Sequence, residues 1–142
     1  MPTSSASAGW EGGLKSGRGN FRAGSGAFEG AYSFPTRFEG ARGTNPEELI
    51  AAAHAACLSM ALSAGLEKSG TPASRIATKA SCTIDKVGEG FKITRMQLEV
   101  RGKVPGLDQA GFAKAADAAK KGCPVSGALQ GNVPIEMDAR LE

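Results

Sequence analysis

Apolar and polar residues alternate along three stretches in the second half of the chain, and each stretch predicts a β-strand. Residues 76–87 and 91–104 alternate on either side of Gly88-Glu89-Gly90, which predicts a β-hairpin with glycines at its bends. Residues 133–141 alternate again near the end of the chain. We expect this last strand to close an antiparallel sheet that the hairpin begins.

The first third of the chain is rich in glycine, and the glycines separate short segments that resemble strands. Within residues 27–34, Phe28 and Tyr32 share one side of the pleat, as in an antiparallel meander. Residues 1–9 precede this region and are expected to form a flexible N-terminus. A single domain is therefore predicted over residues 10–142.

A continuous apolar run over residues 49–66 predicts a long helix from about Pro46 to Lys68. Thr44 and Glu47 have the spacing of a capping box at its start. The run is long enough to raise the question of a membrane span, but its many alanines, His54 and the charged residues at both ends favour a buried soluble helix. A helix that is apolar nearly all round must be covered on every side, and a second copy of itself is a natural cover.

A second helix is predicted between the hairpin and the last strand, from a cap at Asp108 to Gly122. Cys123 follows it, and Pro124 is a helix-start signal because proline is favoured at the first helical position. The expected fold class is α+β, with antiparallel sheets around long central helices. In the expected homodimer, those central helices lie near the two-fold axis.

Composition limits the function classes that this chain can belong to. The 142 residues are 41% apolar and 22% charged, which is ordinary for a soluble globular protein. A net charge of +3, without a run of like charges, gives no indication of nucleic-acid or membrane partners. Residues 1–9 have no apolar segment typical of a signal peptide, and three widely spaced cysteines do not form a secreted disulfide framework. A cytoplasmic location is expected.

Two cysteines are the residues best placed for chemistry. Cys57 lies in mid-helix among alanines, where only a thiol could react, and Cys123 lies at a helix start. A buried thiol paired with one at a helix N-terminus is a candidate redox couple, and Arg37 and Glu47 carry charges that such a couple would use. A thiol-dependent peroxide reductase is therefore the first interpretation.

Three runs of residues carry a resemblance to a known family. The runs are Thr44-Asn45-Pro46-Glu47-Glu48-Leu49, Ala53-His54-Ala55-Ala56-Cys57 and Gly122-Cys123-Pro124-Val125-Ser126. With them, the chain resembles the osmotically inducible protein C branch of the OsmC/Ohr peroxidases from Trp10 to its last strand. Val125 favours that branch, because the organic hydroperoxide resistance branch usually has an aromatic residue after Cys-Pro.

The resemblance implies an intertwined homodimer that reduces organic hydroperoxides, and hydrogen peroxide less well, to alcohols during oxidative or osmotic stress. Cys57 would be the peroxidatic cysteine that becomes a sulfenic acid, and Cys123 the resolving cysteine that forms a disulfide with it. Arg37 would stabilise the thiolate, and Glu47 would orient Arg37. No cofactor or metal is implied; an external dithiol, with a lipoyl-type dithiol as one candidate, would reopen the disulfide.

Helix geometry adds a constraint on this shared site. Glu47 and Cys57 are ten residues apart on one predicted helix, so roughly 15 Å along the axis and different faces separate them. Glu47 cannot reach the Cys57 of its own chain. If both belong to one site, Glu47 comes from the partner subunit, and Arg37 with it.

Each of these assignments has an alternative at this level. Cys57 could be a buried apolar side chain and Cys123 an inert helix cap. Glu47 could serve only the capping box, and Arg37 could lie in a solvated loop. Cys82 belongs to no motif and is expected in the core.

Other functions are also open to these residues. His54 could act as the base of a Cys–His pair, although no residue is identifiable that would orient it. His54, Cys57, Cys123 and Cys82 could bind zinc, although no two cysteines are closely spaced. The main alternative to an enzyme is a non-catalytic protein that binds lipid-like ligands in an apolar dimer groove.

Overall fold

The computed structural model describes residues 1–142, which fold into two compact units, Met1–Leu49 and Ile50–Glu142. The boundary falls inside the long helix, whereas the sequence predicted a single domain over residues 10–142. The fold class is α+β, as predicted. The elements in chain order are β1 (Ala6–Glu11), β2 (Arg18–Ala23), β3 (Glu29–Tyr32), α1 (Phe34–Phe38), α2 (Pro46–Lys68), β4 (Arg75–Val87), β5 (Gly90–Lys103), α3 (Gln109–Gly122), α4 (Pro124–Leu129) and β6 (Ile135–Leu141).

The first unit contains an antiparallel sheet with the order β1-β2-β3, the meander that the glycine spacing predicted. Strand β1 begins at Ala6, which pairs with Ala23, so residues 6–9 are part of the sheet and the N-terminal boundary predicted at residue 10 lies too late. Aromatic side chains pack across the sheet: the ring centroid of Tyr32 lies 5.5 Å from that of Trp10 and 6.0 Å from that of Phe21.

Helix α1 is a single short turn of helix that the sequence pattern did not reveal. Ser33 caps it, because its hydroxyl accepts a hydrogen bond from the Thr36 amide while the Thr36 hydroxyl accepts one from the Ser33 amide. Strand β3 therefore ends at Tyr32, and the backbone turns to place Arg37 on a helix instead of in a loop.

Helix α2 has the predicted bounds, but its cap is one residue later than predicted. The side chain of Asn45 accepts a hydrogen bond of 2.8 Å from the Glu48 amide, three residues on. Thr44 instead donates its hydroxyl hydrogen to the Glu48 carboxylate at 2.7 Å. The capping box predicted for Thr44 and Glu47 is therefore wrong, and Glu47 is available for another partner.

The second unit contains the predicted hairpin of β4 and β5, and β6 pairs with β5. The pairing of β5 with β6 is parallel, from Met96 opposite Ile135 to Gly102 opposite Leu141, so the expectation of a purely antiparallel sheet is wrong. The reason is that α3 and α4 lie between these strands, and a crossover of that length returns the chain in the same direction. The predicted Asp108 cap of α3 is present, with its carboxylate 2.8 Å from the Gly111 amide.

The core of the second unit lies between its sheet and one face of α2. Leu58, Leu62 and Leu66, four residues apart, are fully buried there. Phe112 of α3 packs against Gly102, where a β-carbon would lie 2.4 Å from the ring, so only glycine admits this contact. The opposite face of α2 carries alanines and Met60, which is 75% exposed. By length and composition α2 could also cross a membrane, a description that the core helix of a soluble protein fits as well.

Candidate active site

The structure brings Cys57 and Cys123 together. Their sulfur atoms share a hydrogen bond and lie 2.8 Å apart, with no disulfide between them. Cys57 on α2 is half-buried, whereas Cys123 is only 1% exposed. The more accessible of the two thiols is therefore the one that an external molecule would meet first.

Two helices fix the position of Cys123, which caps the end of α3 and the start of α4. Its amide donates to the Ala119 carbonyl of α3 at 2.8 Å, and its carbonyl accepts a hydrogen bond from the Gly127 amide of α4 at 3.0 Å. Pro124 holds the first position of α4, as the sequence predicted. A residue with both backbone groups bonded into neighbouring helices has little freedom, so the Cys123 sulfur is held against α2.

The surroundings shift the pKa values of the two thiols in opposite directions. Burial raises the pKa of Cys57, and the hydrogen bond to the neighbouring thiol raises it further. Burial also raises the pKa of Cys123, but hydrogen bonds from Cys57, from Ser126 and from the Val125 amide outweigh it, so the pKa of Cys123 is lowered. Within one chain, the negative charge of this pair is favoured on Cys123.

Arg37 and Glu47 form a second pair, within the first unit. The Arg37 Nε atom donates to both carboxylate oxygens of Glu47 at 3.0 and 3.2 Å, and its Nη2 atom donates to one of them at 2.6 Å. Glu47 is 4% exposed. Phe38 lies beside the guanidinium, 5.1 Å from ring centroid to Cζ, and Phe34 packs against that ring at 4.9 Å. The result is a fixed cation with apolar rings around it.

His54 has a partner that the sequence did not suggest. Its Nε2 atom lies 2.7 Å from the Ser126 hydroxyl, and both residues are fully buried. The other ring nitrogen, Nδ1, has no hydrogen-bond partner. Burial lowers the pKa of His54, which keeps the ring neutral. Ser126 belongs to the Cys123 run, and its spacing of three residues from Cys123 across a helix start is the signal that could have suggested a role.

Cys82 lies on β4 opposite Met96 and packs against the core of the second unit, away from any motif. No group of three or more His, Cys, Asp or Glu side chains converges in residues 1–142. The zinc alternative therefore lacks a set of ligands in this chain.

Comparison with known proteins agrees with the resemblance in the sequence. Residues 39–138 match the family model described as OsmC-like protein. The chain is 47% identical to the peroxiredoxin OsmC of Escherichia coli over 128 residues, 89% of this chain and 90% of that protein. It is 35% identical to the organic hydroperoxide resistance protein of Xanthomonas axonopodis pv. citri over 115 residues, 78% of each chain.

The fold also matches solved structures. The crystal structure of the organic hydroperoxide resistance protein OhrB of Bacillus subtilis superposes with a TM-score of 0.71 at 29% identity, over 97% of this chain and 98% of that one. The organic hydroperoxide resistance protein of Elizabethkingia anophelis superposes with a TM-score of 0.82 at 23% identity, over 100% and 98%. These matches extend over both compact units.

Proposed function

This chain belongs to the OsmC-like protein family, and we propose that it is a thiol-dependent peroxidase that reduces organic hydroperoxides to alcohols. The observation that carries the proposal is the pair of sulfur atoms 2.8 Å apart, one on a half-buried residue and one fully buried. Two thiols this close can be oxidised to a disulfide and reduced again without any cofactor.

The reaction begins at Cys57. Its thiolate attacks the terminal, hydrogen-bearing oxygen of the hydroperoxide, so that a sulfur–oxygen bond forms, the O–O bond breaks and an alkoxide leaves. The alkoxide takes up a proton from solvent and becomes the alcohol. The resulting Cys57 sulfenic acid lies beside Cys123, whose sulfur attacks it to form a disulfide and release water. An external dithiol then reopens the disulfide by two exchange steps. Cys57 is thus peroxidatic and Cys123 resolving.

Arg37 supplies the charge that Cys57 lacks within its own chain. Because burial raises the pKa of Cys57, its thiolate needs a nearby cation at neutral pH. Arg37 is held by three hydrogen bonds to the buried carboxylate of Glu47, which orients the guanidinium for a further partner. Glu47 and Cys57 are separated by roughly 15 Å along α2, so this cation comes from a second copy of the chain.

Two apolar surfaces support the homodimer that this arrangement requires. The exposed face of α2 presents alanines and Met60 to solvent, as expected for a helix that another copy covers. In the first unit Ala23 is the only buried apolar side chain, while the larger side chains of Trp10 and Phe28 are exposed. A three-stranded sheet with so little core of its own needs a partner surface.

The substrate and the reductant follow from the same groups. Phe34 and Phe38 accompany Arg37 and would line the site that it completes, which suits the organic part of a hydroperoxide. The reductant is a dithiol, with a lipoyl-type dithiol as a candidate, and hydrogen peroxide is a poorer substrate. The protein acts in the cytoplasm, where thiols are kept reduced, in defence against oxidative or osmotic stress.

Turnover distinguishes this function from the binding of lipid-like ligands in an apolar groove. The reduced protein is mixed with an alkyl hydroperoxide and excess dithiol, and peroxide loss is followed over many equivalents. We expect turnover that Cys57→Ser abolishes and Cys82→Ser, the matched control, retains. Absence of turnover in the unmodified protein, with a lipid-like ligand bound instead, would overturn the proposal in favour of a binding protein.

A further inference from the structure

Two polar side chains link helix α1, which carries Arg37, to the start of α2, which carries Glu47. The Thr36 hydroxyl lies 2.8 Å from the Thr44 carbonyl, and the Asn45 side-chain amide donates to the Thr36 carbonyl at 3.2 Å. Thr36 belongs to α1, and Asn45 caps α2. These two contacts, which we call the α1–α2 link, therefore join the two helices across the segment that connects them.

The Thr36 hydroxyl has one hydrogen and two carbonyls within reach. The Ser33 carbonyl, at 3.1 Å, already accepts a hydrogen bond from the Arg37 amide. The Thr44 carbonyl is nearer, at 2.8 Å, which is the usual length of a hydrogen bond from a hydroxyl. The hydroxyl hydrogen is therefore assigned to Thr44, while the hydroxyl oxygen accepts from the Ser33 amide at 3.0 Å. One side chain thus caps α1 and joins it to α2.

The segment between the two helices constrains their relative position only weakly. Residues 39–43 are all exposed, and Gly40 and Gly43 have positive φ angles of 69° and 147°. A β-carbon at Gly43 would lie 2.7 Å from the Thr36 γ-methyl group, so glycine lets this segment approach Thr36. An exposed connection of this kind opens readily. The position of α1 against the start of α2 therefore depends on the α1–α2 link and on the ion pair between the two helices.

The ion pair alone does not fix the direction of the guanidinium. Glu47 is buried in the first turn of α2, but Arg37 has a long side chain that can follow this carboxylate from more than one position of α1. Nε and Nη2 contact Glu47, so the Nη1 end of the fork is the part left for a thiolate. A small displacement of α1 would turn that end away while the ion pair persisted. Misplacement by about 1 Å can cost a large factor in rate.

We propose that Thr36 and Asn45 are positioning residues for the first step of the reaction, because the α1–α2 link sets the direction in which Arg37 presents its guanidinium. The inference rests on the proposed function, since it assumes that Arg37 stabilises the peroxidatic thiolate. Neither Thr36 nor Asn45 touches the peroxide, and the link adds no bond-making step of its own. Its effect reaches the reaction only through Arg37, so the effect should vanish when Arg37 is removed.

Asn45 allows its two roles to be separated. Its Oδ1 atom accepts from the Glu48 amide at 2.8 Å and caps α2, whereas its Nδ2 atom donates to the Thr36 carbonyl. Serine is as good a helix cap as asparagine but has no side-chain amide. Asn45→Ser therefore removes half of the α1–α2 link while the caps of α1 and α2 remain.

Thr36 offers a pair of variants, and the second unit offers a matched control. Thr36→Val keeps the shape of the side chain and removes its hydroxyl, whereas Thr36→Ser keeps the hydroxyl. Thr78→Val makes the same substitution at another half-buried threonine, on β4, whose hydroxyl accepts from Ser59 at 2.8 Å. Each change is made in the full chain, both with Arg37 present and with Arg37→Ala. Urea unfolding shows which variants fold; if Thr36→Val does not, Asn45→Ser decides.

The rate of peroxide loss measures the first step. Excess reduced protein without dithiol is rapidly mixed with cumene hydroperoxide, so that each molecule of peroxide lost is one sulfur–oxygen bond formed. Thr36→Val and Asn45→Ser should be about tenfold slower than the unmodified protein, while Thr36→Ser and Thr78→Val should stay within about threefold. Arg37→Ala should be slower by about 100-fold, and adding Thr36→Val to it should change the rate by less than about twofold.

A purely structural role gives a different pattern, because lost stability would slow the reaction by the same factor with or without Arg37. That pattern, or a rate for either Thr36→Val or Asn45→Ser that equals the rate of Thr78→Val, would overturn the inference. Thr36→Ser as slow as Thr36→Val would overturn it as well, since the hydroxyl is then not the group that matters. An Arg37→Ala variant as fast as the unmodified protein, or an unmodified protein that consumes no peroxide, would instead refute the proposed function.

Discussion

The sulfur atoms of Cys57 and Cys123 lie 2.8 Å apart, although 66 residues separate the two cysteines in the chain. The contact joins the middle of α2 to the junction of α3 and α4, so it depends on the packing of the second unit as a whole. The third cysteine, Cys82, lies on the sheet opposite Met96.

Oxidation should therefore produce one disulfide within a single chain. One equivalent of an alkyl hydroperoxide should link Cys57 to Cys123, because their sulfurs are already in contact and only the covalent bond remains to form. Peptide mapping by mass spectrometry without reduction measures the linkage. Cys82→Ser should give the same disulfide in the same yield. A dominant linkage through Cys82 would contradict the assignment.

Local sequence patterns predicted where the helices and strands lie better than they predicted how the strands pair. The alternation of residues 76–87 and the apolar run of α2 each repeat over many residues, so hairpin and helix were both predicted. The parallel pairing of β6 was not, because strand direction depends on the crossover between β5 and β6 and not on the alternation within β6. Helix α1 was missed since five residues are too few to show a helical period.

The candidate site was predicted to a similar extent. Cys57, Cys123 and Glu47 lie in the runs that carry the family resemblance, and Arg37 was assigned through that resemblance. The structure pairs Cys57 with Cys123 and Arg37 with Glu47. The contact between His54 and Ser126 joins residues 72 positions apart, and no periodicity or spacing relates them. Only the packing of α2 against α4 reveals that pair.

The substrate should be an organic hydroperoxide in preference to hydrogen peroxide. Phe34 and Phe38 flank Arg37, and Met60 lies one turn of helix from Cys57. In the proposed shared site these apolar groups would line the space around the reacting atoms. We expect kcat/KM to be at least about tenfold higher for cumene hydroperoxide than for hydrogen peroxide, since each apolar group in a pocket can contribute that much. Phe38→Ala should reduce this ratio. Equal or greater efficiency with hydrogen peroxide would refute the prediction.

Stability should fall as the pH drops below the ordinary histidine value. Burial lowers the pKa of His54, so the unfolded chain takes up a proton at a higher pH than the folded chain does. The contribution of His54 is then complete above about pH 6.5, the ordinary histidine value, and is lost progressively as the pH falls toward the lowered folded pKa.

Urea unfolding of the reduced protein at constant ionic strength measures this dependence. His54 is the only histidine, so no other side chain of ordinary pKa titrates in the interval just below pH 6.5. His54→Gln keeps a donor but cannot be charged, and its stability should be nearly flat over the same interval. A free energy of unfolding that is constant, or rises, as the unmodified protein is acidified through this interval would contradict the prediction.

The sharpest test of the shared site places two lesions either on different chains or on the same chain. If each site takes its cysteines from one subunit and its Arg37–Glu47 pair from the other, a dimer of a Cys57→Ser chain with an Arg37→Ala chain has both lesions in one site and leaves the other intact. Such purified mixed dimers should recover about half of the unmodified activity per dimer.

The matched control carries Cys57→Ser and Arg37→Ala together on one chain, paired with an unmodified chain. Each of its two sites then lacks one component, so it should be inactive. Peroxide turnover with excess dithiol measures both, after two affinity tags have isolated the mixed dimers. The opposite result, an inactive first dimer and an active second, would show that every site is built within a single chain.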